Sequence, residues 1–234
     1  MGAVTIVVIG ASGGIGSAMV DELRLRFHDA RFVLTARATD RPLPSAGEWM
    51  RLDLENEQSI IAAARATGEA DIVCVATGML HEGDAIRPEK TWAAIDPHAM
   101  ARSFAVNAIG PALVMKHFLP LLSRERRSVM ALLSARVGSI SDNRLGGWYS
   151  YRASKAALNQ MIRTASVELA RKNPGALCVG LHPGTVATPL SAPFGSGDRL
   201  EPRESASKLV AILQQLQPED SGKVFDWQGR IVPE

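Results

Sequence analysis

The chain has 234 residues, and its 26 Lys and Arg against 24 Asp and Glu give a formal net charge of +2. This near balance excludes the strongly basic composition by which many proteins bind nucleic acid. We expect no apolar run long enough to cross a membrane and, because the first strand pattern begins at residue 4, no signal peptide. Cys74 and Cys178 lie in apolar runs, so we expect two buried free thiols, no metal site and a cytoplasmic location.

Strand and helix patterns alternate along the chain. The predicted strands are 4–9, 31–35, 51–53, 71–76, 128–133, 176–181 and 224–226, the last at a sheet edge. The predicted helices are one that starts in the glycine-rich turn after the first strand, then 55–67, 97–122 with a break near Gly110, 149–172 and 201–216. Residues 41–47, with two prolines and a glycine, are expected to form a loop. This order predicts one domain over residues 1–234, an α/β Rossmann-type doubly wound parallel sheet of about seven strands with helices on both faces.

The first strand leads directly into a glycine-rich turn with the sequence Gly10-Ala11-Ser12-Gly13-Gly14-Ile15-Gly16. Gly10 permits a tight turn, while Gly14 and Gly16 let the backbone approach a pyrophosphate and let the next helix pack on its strand. Free backbone N–H groups at the start of that helix would face the phosphates. A strand, a glycine turn and a helix in this order predict a dinucleotide site, and its members include Gly10, Ser12, Gly14, Ile15 and Gly16.

Tyr151 and Lys155 form the second informative pattern. They lie four residues apart in a predicted helix, so both side chains project from the same face. An ammonium group beside a phenol favours the phenolate and is expected to lower a pKa that otherwise lies near ~10. A tyrosine of this kind can transfer protons near neutral pH. Taken alone, the pair is more typical of a solvated helix face.

The glycine spacing G-x-x-x-G-x-G, followed far downstream by Y-x-x-x-K, resembles the short-chain dehydrogenase/reductase family over essentially the whole chain. The segments 134–140 and 146–159 resemble the C-factor-like branch of that family, which is related to carbonyl reductases. The resemblance implies that Tyr151 is the catalytic acid/base. It also implies that Lys155 holds the nicotinamide ribose and lowers the pKa of Tyr151.

The resemblance extends to two further catalytic positions. Asn107 lies in the middle of a helical pattern, where asparagine is a poor helix former, and the family places an asparagine here that supports a proton path to the lysine. Ser134 follows the fifth strand and would polarise the substrate carbonyl. Because Ser134 precedes Tyr151 by more residues than is usual in the family, Ser139 stays open as the alternative.

The remaining cofactor contacts implied by the resemblance lie after other strands. Asp53 would bind the adenine amino group, although a helix cap is an equally good interpretation of an aspartate before residue 55. Only Gly78 matches the family's Asn-Asn-Ala-Gly segment cleanly. After the sixth strand, the nicotinamide end would be held by Pro183, Gly184, Val186 and Thr188. His182, at the end of that strand, is interpreted as structural.

Arg37 indicates the cofactor preference. An acidic residue at the end of the second strand is typical of NAD binding, whereas an arginine can bind the 2′-phosphate of NADP. Arg37 therefore predicts NADP(H) over NAD, with an exposed strand-end cation as the alternative.

Together these features predict an NADP(H)-dependent oxidoreductase that reduces a carbonyl, or oxidises an alcohol, by hydride transfer with Tyr151 as acid/base. The alternative is a non-catalytic NADP-binding sensor or cell-signalling protein on the same fold, which would not need the Ser134, Asn107 and Lys155 set. The short segment 190–199 would cover the substrate, whose identity stays open among aldehydes, ketones, quinones and pteridines. The resemblance also implies a homodimer or homotetramer that pairs through helices 98–122 and 149–172.

Overall fold

The computed structural model describes residues 3–38, 47–194 and 197–234, so most of the predicted loop at 41–47 lies outside the described residues. The described chain forms one parallel sheet of seven strands in the order β3-β2-β1-β4-β5-β6-β7. The strands are β1 Thr5–Ile9, β2 Arg31–Ala36, β3 Glu48–Arg51, β4 Ile72–Val75, β5 Ser128–Leu133, β6 Ala176–His182 and β7 Val224–Asp226. The predicted fold class is confirmed, and β7 lies at an edge of the sheet as predicted.

Helices cover both faces of the sheet. They are α1 Gly14–Arg26, α2 Glu57–Thr67, α3 Pro97–Phe104, α4 Gly110–Phe118, α5 Tyr149–Lys172 and α6 Pro202–Gln215. Side chains alternate along β1, so that Val7 and Ile9 pack on one core while Ile6 and Val8 pack on the other. The first core includes residues of α2, α4 and α5, and the second includes residues of α1 and α6. Because both faces are covered, all four of these strand residues are fully buried.

The strand order reverses beside β1. The chain moves outward from β1 to β2 and β3, and then returns to place β4 on the other side of β1. Ligands of open parallel sheets bind at such a switch point, outside the carboxyl ends of the strands. The segments that follow β1, β4, β5 and β6 all begin at this edge, and they contain most of the predicted site residues.

The third strand lies earlier than predicted. It covers Glu48–Arg51 rather than residues 51–53, because its pairing with β2 ends where Ala36 meets Arg51. The following helix begins at Glu57 rather than at residue 55, since the side chain of Asn56 caps it by accepting from the backbone N–H groups of Gln58 and Ser59.

The break predicted near Gly110 in the long third helix is confirmed, and it lies directly before that residue. Residues 105–109 form a single π-helical turn around Asn107, and Pro111 lies in the first turn of α4, where proline is tolerated. The continuous helix Pro97–Leu121 is long and apolar enough to span a membrane by length and composition, so the expectation that no run reaches this length is wrong. One such helix is weak evidence for a membrane span, because core helices of soluble proteins meet the same criterion.

The two cysteines are free and buried, as predicted. Burial raises the pKa of each thiol, Cys74 and Cys178, to about 12, so both stay protonated and unreactive at neutral pH.

Candidate active site

The turn between β1 and α1 has no room for side chains at its glycines. Gly10 has a φ of +81°, a region that favours glycine. A Cβ on Gly16 would collide with the carbonyl oxygen of Gly10, and one on Gly14 would lie 2.9 Å from Cγ2 of Thr188. Among the described residues, no side chain caps the N-terminus of α1. The turn therefore exposes bare backbone and the N–H groups of a helix start, which fits a pyrophosphate.

A groove of about 620 Å³ runs from this turn across the ends of β1, β2 and β4. This volume is within the range of small-molecule sites. The predicted residues that line it are Gly10, Ser12, Arg37, Asp53 and Gly78. Thr188 does not line the groove, but its methyl group occupies the space that a side chain at Gly14 would need. The structure thus brings together residues that follow four different strands.

Arg37 is exposed at the end of β2 and lines the groove. Asp53 also lines it and accepts a hydrogen bond from the backbone N–H of Glu55 at 3.1 Å. Since the side chain of Asn56 caps α2, the alternative interpretation of Asp53 as the helix cap is wrong.

Arg102 is a groove residue that the sequence analysis did not identify. It forms ion pairs with Glu55 and, at 2.6 Å, with Glu82, and all three residues line the groove. The hydrogen bond from Arg102 is the main reason that the pKa of Glu82 is lowered, and the charge of Arg37 adds to the effect. The three residues come from α3 and from segments before α2 and after β4, so sequence spacing alone gives no sign of their contact.

Tyr151 and Lys155 lie in the first two turns of α5 and face each other, as predicted. The Lys155 Nζ lies 5.9 Å from the centroid of the Tyr151 ring. The same ammonium group donates a hydrogen bond of 2.9 Å to the carbonyl oxygen of Leu133, the last residue of β5. Lys155 is only 2% exposed. Lys155 is therefore fixed in the interior, while Tyr151 is partly exposed, and the pair does not lie on a solvated helix face.

The expected lowering of the tyrosine pKa is wrong for this structure. Burial raises the pKa of Tyr151 to about 12 and lowers the pKa of Lys155 to about 8. Both shifts have the same cause, because burial disfavours the phenolate and the ammonium alike. The ammonium donates to Leu133, so its effect on the phenol is weaker than that of burial.

Asn107 connects the loop after β4 to helix α5. Its carboxamide accepts from the backbone N–H of Met79 and donates to the carbonyl of Met79, both at 2.8 Å. The same Nδ2 lies 3.1 Å from Oγ of Ser154, the neighbour of Lys155. A Cβ built on Gly78 would lie 3.5 Å from Lys155 Nζ and 3.7 Å from Asn107 Oδ1. Gly78, Asn107 and Lys155 therefore converge, and the π-helical turn explains how an asparagine is placed within this helix.

The two candidate serines are both buried and both hydrogen-bonded elsewhere. Ser134 Oγ donates to Oδ1 of Asn159 at 2.5 Å. Ser139 Oγ accepts from the backbone N–H of Asp142 at 3.1 Å and lies 3.4 Å from the carbonyl oxygen of Glu234. Across the described ranges, neither hydroxyl is hydrogen-bonded to the Tyr151 phenol. Ser134 directly follows Leu133, whose carbonyl holds Lys155, whereas Ser139 lies against the C-terminal segment.

The segment after β6 packs against the glycine turn. Gly184 has a φ of +82°, and a Cβ there would lie 2.8 Å from the Trp227 ring. The carbonyl of Pro183 accepts from Ser205 Oγ at 2.7 Å, and the carbonyl of Val186 accepts from Ser191 Oγ at 2.5 Å. The first bond ties the predicted nicotinamide end of the site to α6, and the second braces the segment internally.

His182 precedes this segment. Burial is the main cause that lowers its pKa to about 4; the charge of Asp226 raises this pKa and the charge of Arg136 lowers it, both by less. Its Nδ1 is buried and has no hydrogen-bond partner within the described part of the chain. His182 is therefore neutral at physiological pH, which agrees with its interpretation as structural.

The geometry and the sequence define the family. Residues 4–198 match the short chain dehydrogenase family, and the chain belongs to it, in the carbonyl reductase-like branch. The chain is 39% identical to the C-signal protein of Myxococcus xanthus over 139 residues, which is 59% of this chain and 81% of that relative. It is an oxidoreductase by family.

Two solved structures share the whole fold. The NADPH-bound carbonyl reductase from chicken fatty liver superposes with a TM-score of 0.85 at 25% identity, over 100% of both chains. A protein of Burkholderia multivorans, provisionally assigned as a short-chain dehydrogenase/reductase and crystallised with bound NADP, gives a TM-score of 0.83 at 29% identity, again over 100% of both chains.

Proposed function

We propose that the protein is an NADPH-dependent reductase of a small-molecule carbonyl, in which Tyr151 donates the proton. The observation that carries this proposal is the contact of Tyr151 with the buried Lys155, which meets Asn107 and Gly78 where the loop after β4 reaches α5. Arg37 lies in the groove formed by the same loop and the glycine turn. Relatives with bound NADPH and NADP support the choice of cofactor.

The residues present fit this cofactor. The glycine turn with Gly10, Ser12, Gly14, Ile15 and Gly16 would hold the pyrophosphate. Asp53 and Gly78 would line the adenosine part, and Arg37 would bind the 2′-phosphate. The nicotinamide end would be held by Tyr151, Lys155, Pro183, Gly184, Val186 and Thr188. When bound, the reduced nicotinamide supplies the hydride.

The pKa of Tyr151 favours the reductive direction. With a pKa of about 12, the phenol is protonated at neutral pH and ready to donate its proton to the oxygen of a carbonyl group. Oxidation of an alcohol would require the phenolate, which burial disfavours. Below pH 8 the Lys155 ammonium is charged and can act as a hydrogen-bond donor beside the reacting groups. Asn107 would maintain the approach to Lys155 by holding Met79 in place.

For the electrophilic hydroxyl we propose Ser134 rather than Ser139. Ser134 directly follows the residue whose carbonyl binds Lys155, which keeps it at the same end of β5 as the proton donor. To polarise a substrate oxygen its hydroxyl must turn away from Asn159, and this exchange of one hydrogen bond for another has a small net free-energy cost. Ser134→Ala is expected to lower kcat more than Ser139→Ala, and the reverse order would transfer the role to Ser139.

We also propose that residues 1–234 act as one cofactor-binding domain that forms a homodimer or homotetramer in the cytoplasm. An apolar groove of about 490 Å³ lies between the end of α4 and α5, with Met115, Leu119 and Met161 in its lining. Burial of this groove against a second copy would remove apolar surface from water. Light scattering that gives the mass of a monomer would contradict this assembly.

The test of the proposed function is a titration with NADPH and NADH, followed by a panel of aldehydes, ketones, quinones and pteridines. The panel is monitored by the loss of reduced-nicotinamide absorbance. We expect tighter binding of NADPH than of NADH, and turnover of at least one class of carbonyl. Tight binding of NADPH without turnover of any carbonyl would favour the non-catalytic sensor, and failure to bind either cofactor would overturn both functions.

A further inference from the structure

Three aromatic rings lie in a row beside Tyr151. The ring centroids of Trp148 and Tyr151 are 6.2 Å apart, and those of Trp148 and Phe194 are 5.6 Å apart. His81 continues the row, with its ring 5.4 Å from Phe194. All three contacts are edge-to-face, at the distances where aromatic pairs attract each other. His81 follows β4, Trp148 precedes α5 and Phe194 follows β6, so three separate segments supply one aromatic surface at the proton donor.

Trp148 is held in an unfavourable backbone conformation. With φ +53° and ψ +43° it is in the left-handed region, and it is the only non-glycine residue with a positive φ in the described ranges. A bulky side chain in this region is a true outlier. Such a conformation persists only where the surroundings enforce it, which is frequently at functional sites. Here the outlier lies three residues from Tyr151.

Glu89 supplies the contacts that enforce this conformation. Its backbone carbonyl accepts from the N–H of Trp148 at 2.5 Å. Its carboxylate accepts from the N–H of Ser150 at 3.1 Å and from the Ser150 hydroxyl. Glu89 is 5% exposed, and a carboxylate is buried at such a cost only when it is hydrogen-bonded. Its position at the N-terminus of α5 is also favoured by the helix dipole.

We propose that Trp148, with Phe194 and His81, forms an aromatic wall of the substrate site that selects carbonyl compounds bearing a flat, conjugated group. In the same proposal Glu89 is the positioning residue that holds Trp148 against Tyr151. The wall is suited to a planar uncharged group, because ring faces and edges attract other rings. The Nε2 of His81 lies 3.2 Å from the carbonyl of Pro189 and is engaged there rather than with a ligand. This inference rests on the proposed function, in which Tyr151 marks the position of the carbonyl.

The direct test uses two ketones of matched size, acetophenone and cyclohexyl methyl ketone, with NADPH. Trp148→Leu is expected to lower kcat/KM for acetophenone about 10- to 100-fold through KM, since the lost contact is a binding contact. The loss for cyclohexyl methyl ketone should be several-fold smaller, and Trp148→Phe should restore most of the preference. Trp92→Leu is the matched control, because Trp92 is 77% exposed. Equal losses for the two ketones would overturn the aromatic wall.

The role of Glu89 is tested by the ratio of the two kcat/KM values. If Glu89 acts through Trp148, Glu89→Ala lowers this ratio in the wild-type background and leaves it unchanged in the Trp148→Leu background. Glu89→Gln keeps an oxygen that can accept from Ser150 and should retain most of the ratio. Ser150→Ala removes the hydroxyl that donates to Glu89 and should lower the ratio, so it provides the answer if Glu89→Ala does not fold. A ratio unchanged in Glu89→Ala and Ser150→Ala, despite a lower melting temperature, would show that Glu89 only stabilises the start of α5.

A binding measurement separates the wall from the proposed function. Saturable quenching of tryptophan fluorescence by 4-nitroacetophenone, present in the wild type and absent in Trp148→Phe, supports the wall even if no carbonyl is turned over. Turnover of carbonyls without any such quenching, and with equal losses in Trp148→Leu, supports the reductase and overturns the wall.

Discussion

The two ends of the candidate site are built from different kinds of groups. The end at the glycine turn is backbone, where Gly10, Gly14 and Gly16 leave no space for a side chain. The end at α5 is made of buried polar side chains, among which Lys155 and Asn107 each bond to a backbone group of another element. The end at the glycine turn depends on the lack of side chains in a short segment, whereas the end at α5 depends on tertiary contacts. This difference decides which properties of the site follow from sequence and which follow from packing.

Lys155→Met is the most severe test of the end of the site at α5. The substitution keeps the length of the side chain but removes the ammonium that binds Leu133 and faces Tyr151, so we expect kcat/KM for carbonyl reduction to fall by at least ~100-fold. Steady-state kinetics provide the measurement. Lys172→Met, at the exposed end of the same helix, is the control and should retain full activity. A similar loss in both variants would show that the helix, not the ammonium, is being disturbed.

Gly16→Ala tests the backbone end. A Cβ at residue 16 would collide with the carbonyl oxygen of Gly10, and backbone cannot rotate away as a side chain can. We expect the Kd for NADPH to rise about tenfold or more, measured by cofactor fluorescence, as the pyrophosphate loses its fitted turn. Gly175→Ala is the matched control, since a Cβ there meets nothing within 4 Å. An unchanged Kd in Gly16→Ala would remove the turn from the cofactor site.

Arg37→Gln tests whether the exposed arginine after β2 selects NADPH over NADH. Loss of a bidentate donor to the 2′-phosphate is expected to raise the Kd for NADPH about tenfold and to leave the Kd for NADH unchanged. Titration of both cofactors gives the ratio. Arg51→Gln, an exposed strand-end arginine outside the groove lining, should change neither value. Equal weakening of NADPH and NADH would make Arg37 a general electrostatic contributor.

The pH dependence of the rate distinguishes the two titratable groups at α5, Lys155 and Tyr151. Lys155 has its pKa lowered to about 8, so its charge is present below pH 8 and is lost as the pH rises. Tyr151, with a pKa of about 12, stays protonated over the same range. We therefore expect kcat/KM for NADPH, which reports on the free enzyme, to decline above pH 8 by roughly tenfold per pH unit. In Lys155→Arg, whose charge does not titrate, that decline should disappear, and a profile flat to pH 10 in the wild type would contradict the assignment.

Elements with local signals were predicted closely. Strand β5 and helix α5 have the predicted bounds, because an apolar run and an Asn-Pro-Gly stop are encoded in the segments themselves. The start of β3 and the π-helical turn at 105–109 were not predicted, since they are set by pairing with β2 and by the bonds of Asn107 to Met79. The local hydrophobic periodicity gives no sign of either contact.

The same reasoning applies to the site. Spacing alone brought Tyr151 and Lys155 onto one helix face, but the direction of the tyrosine pKa depends on how deeply the helix end is buried. Glu89 and Arg102 were missed because their partners are distant in sequence. For the region around Trp148 the sequence holds one signal. Gly146-Gly147 directly precedes Trp148, and two glycines permit the left-handed turn found there.

The most direct test of the central claim is Tyr151→Phe compared with Tyr149→Phe, the chain's two tyrosines. Removal of the Tyr151 hydroxyl should reduce carbonyl turnover by at least ~100-fold, the contribution of a general acid, while the Kd for NADPH stays within about twofold. Tyr149→Phe should retain turnover. If Tyr151→Phe binds NADPH normally and reduces carbonyls at a near wild-type rate, Tyr151 is not the proton donor and the proposed mechanism is wrong.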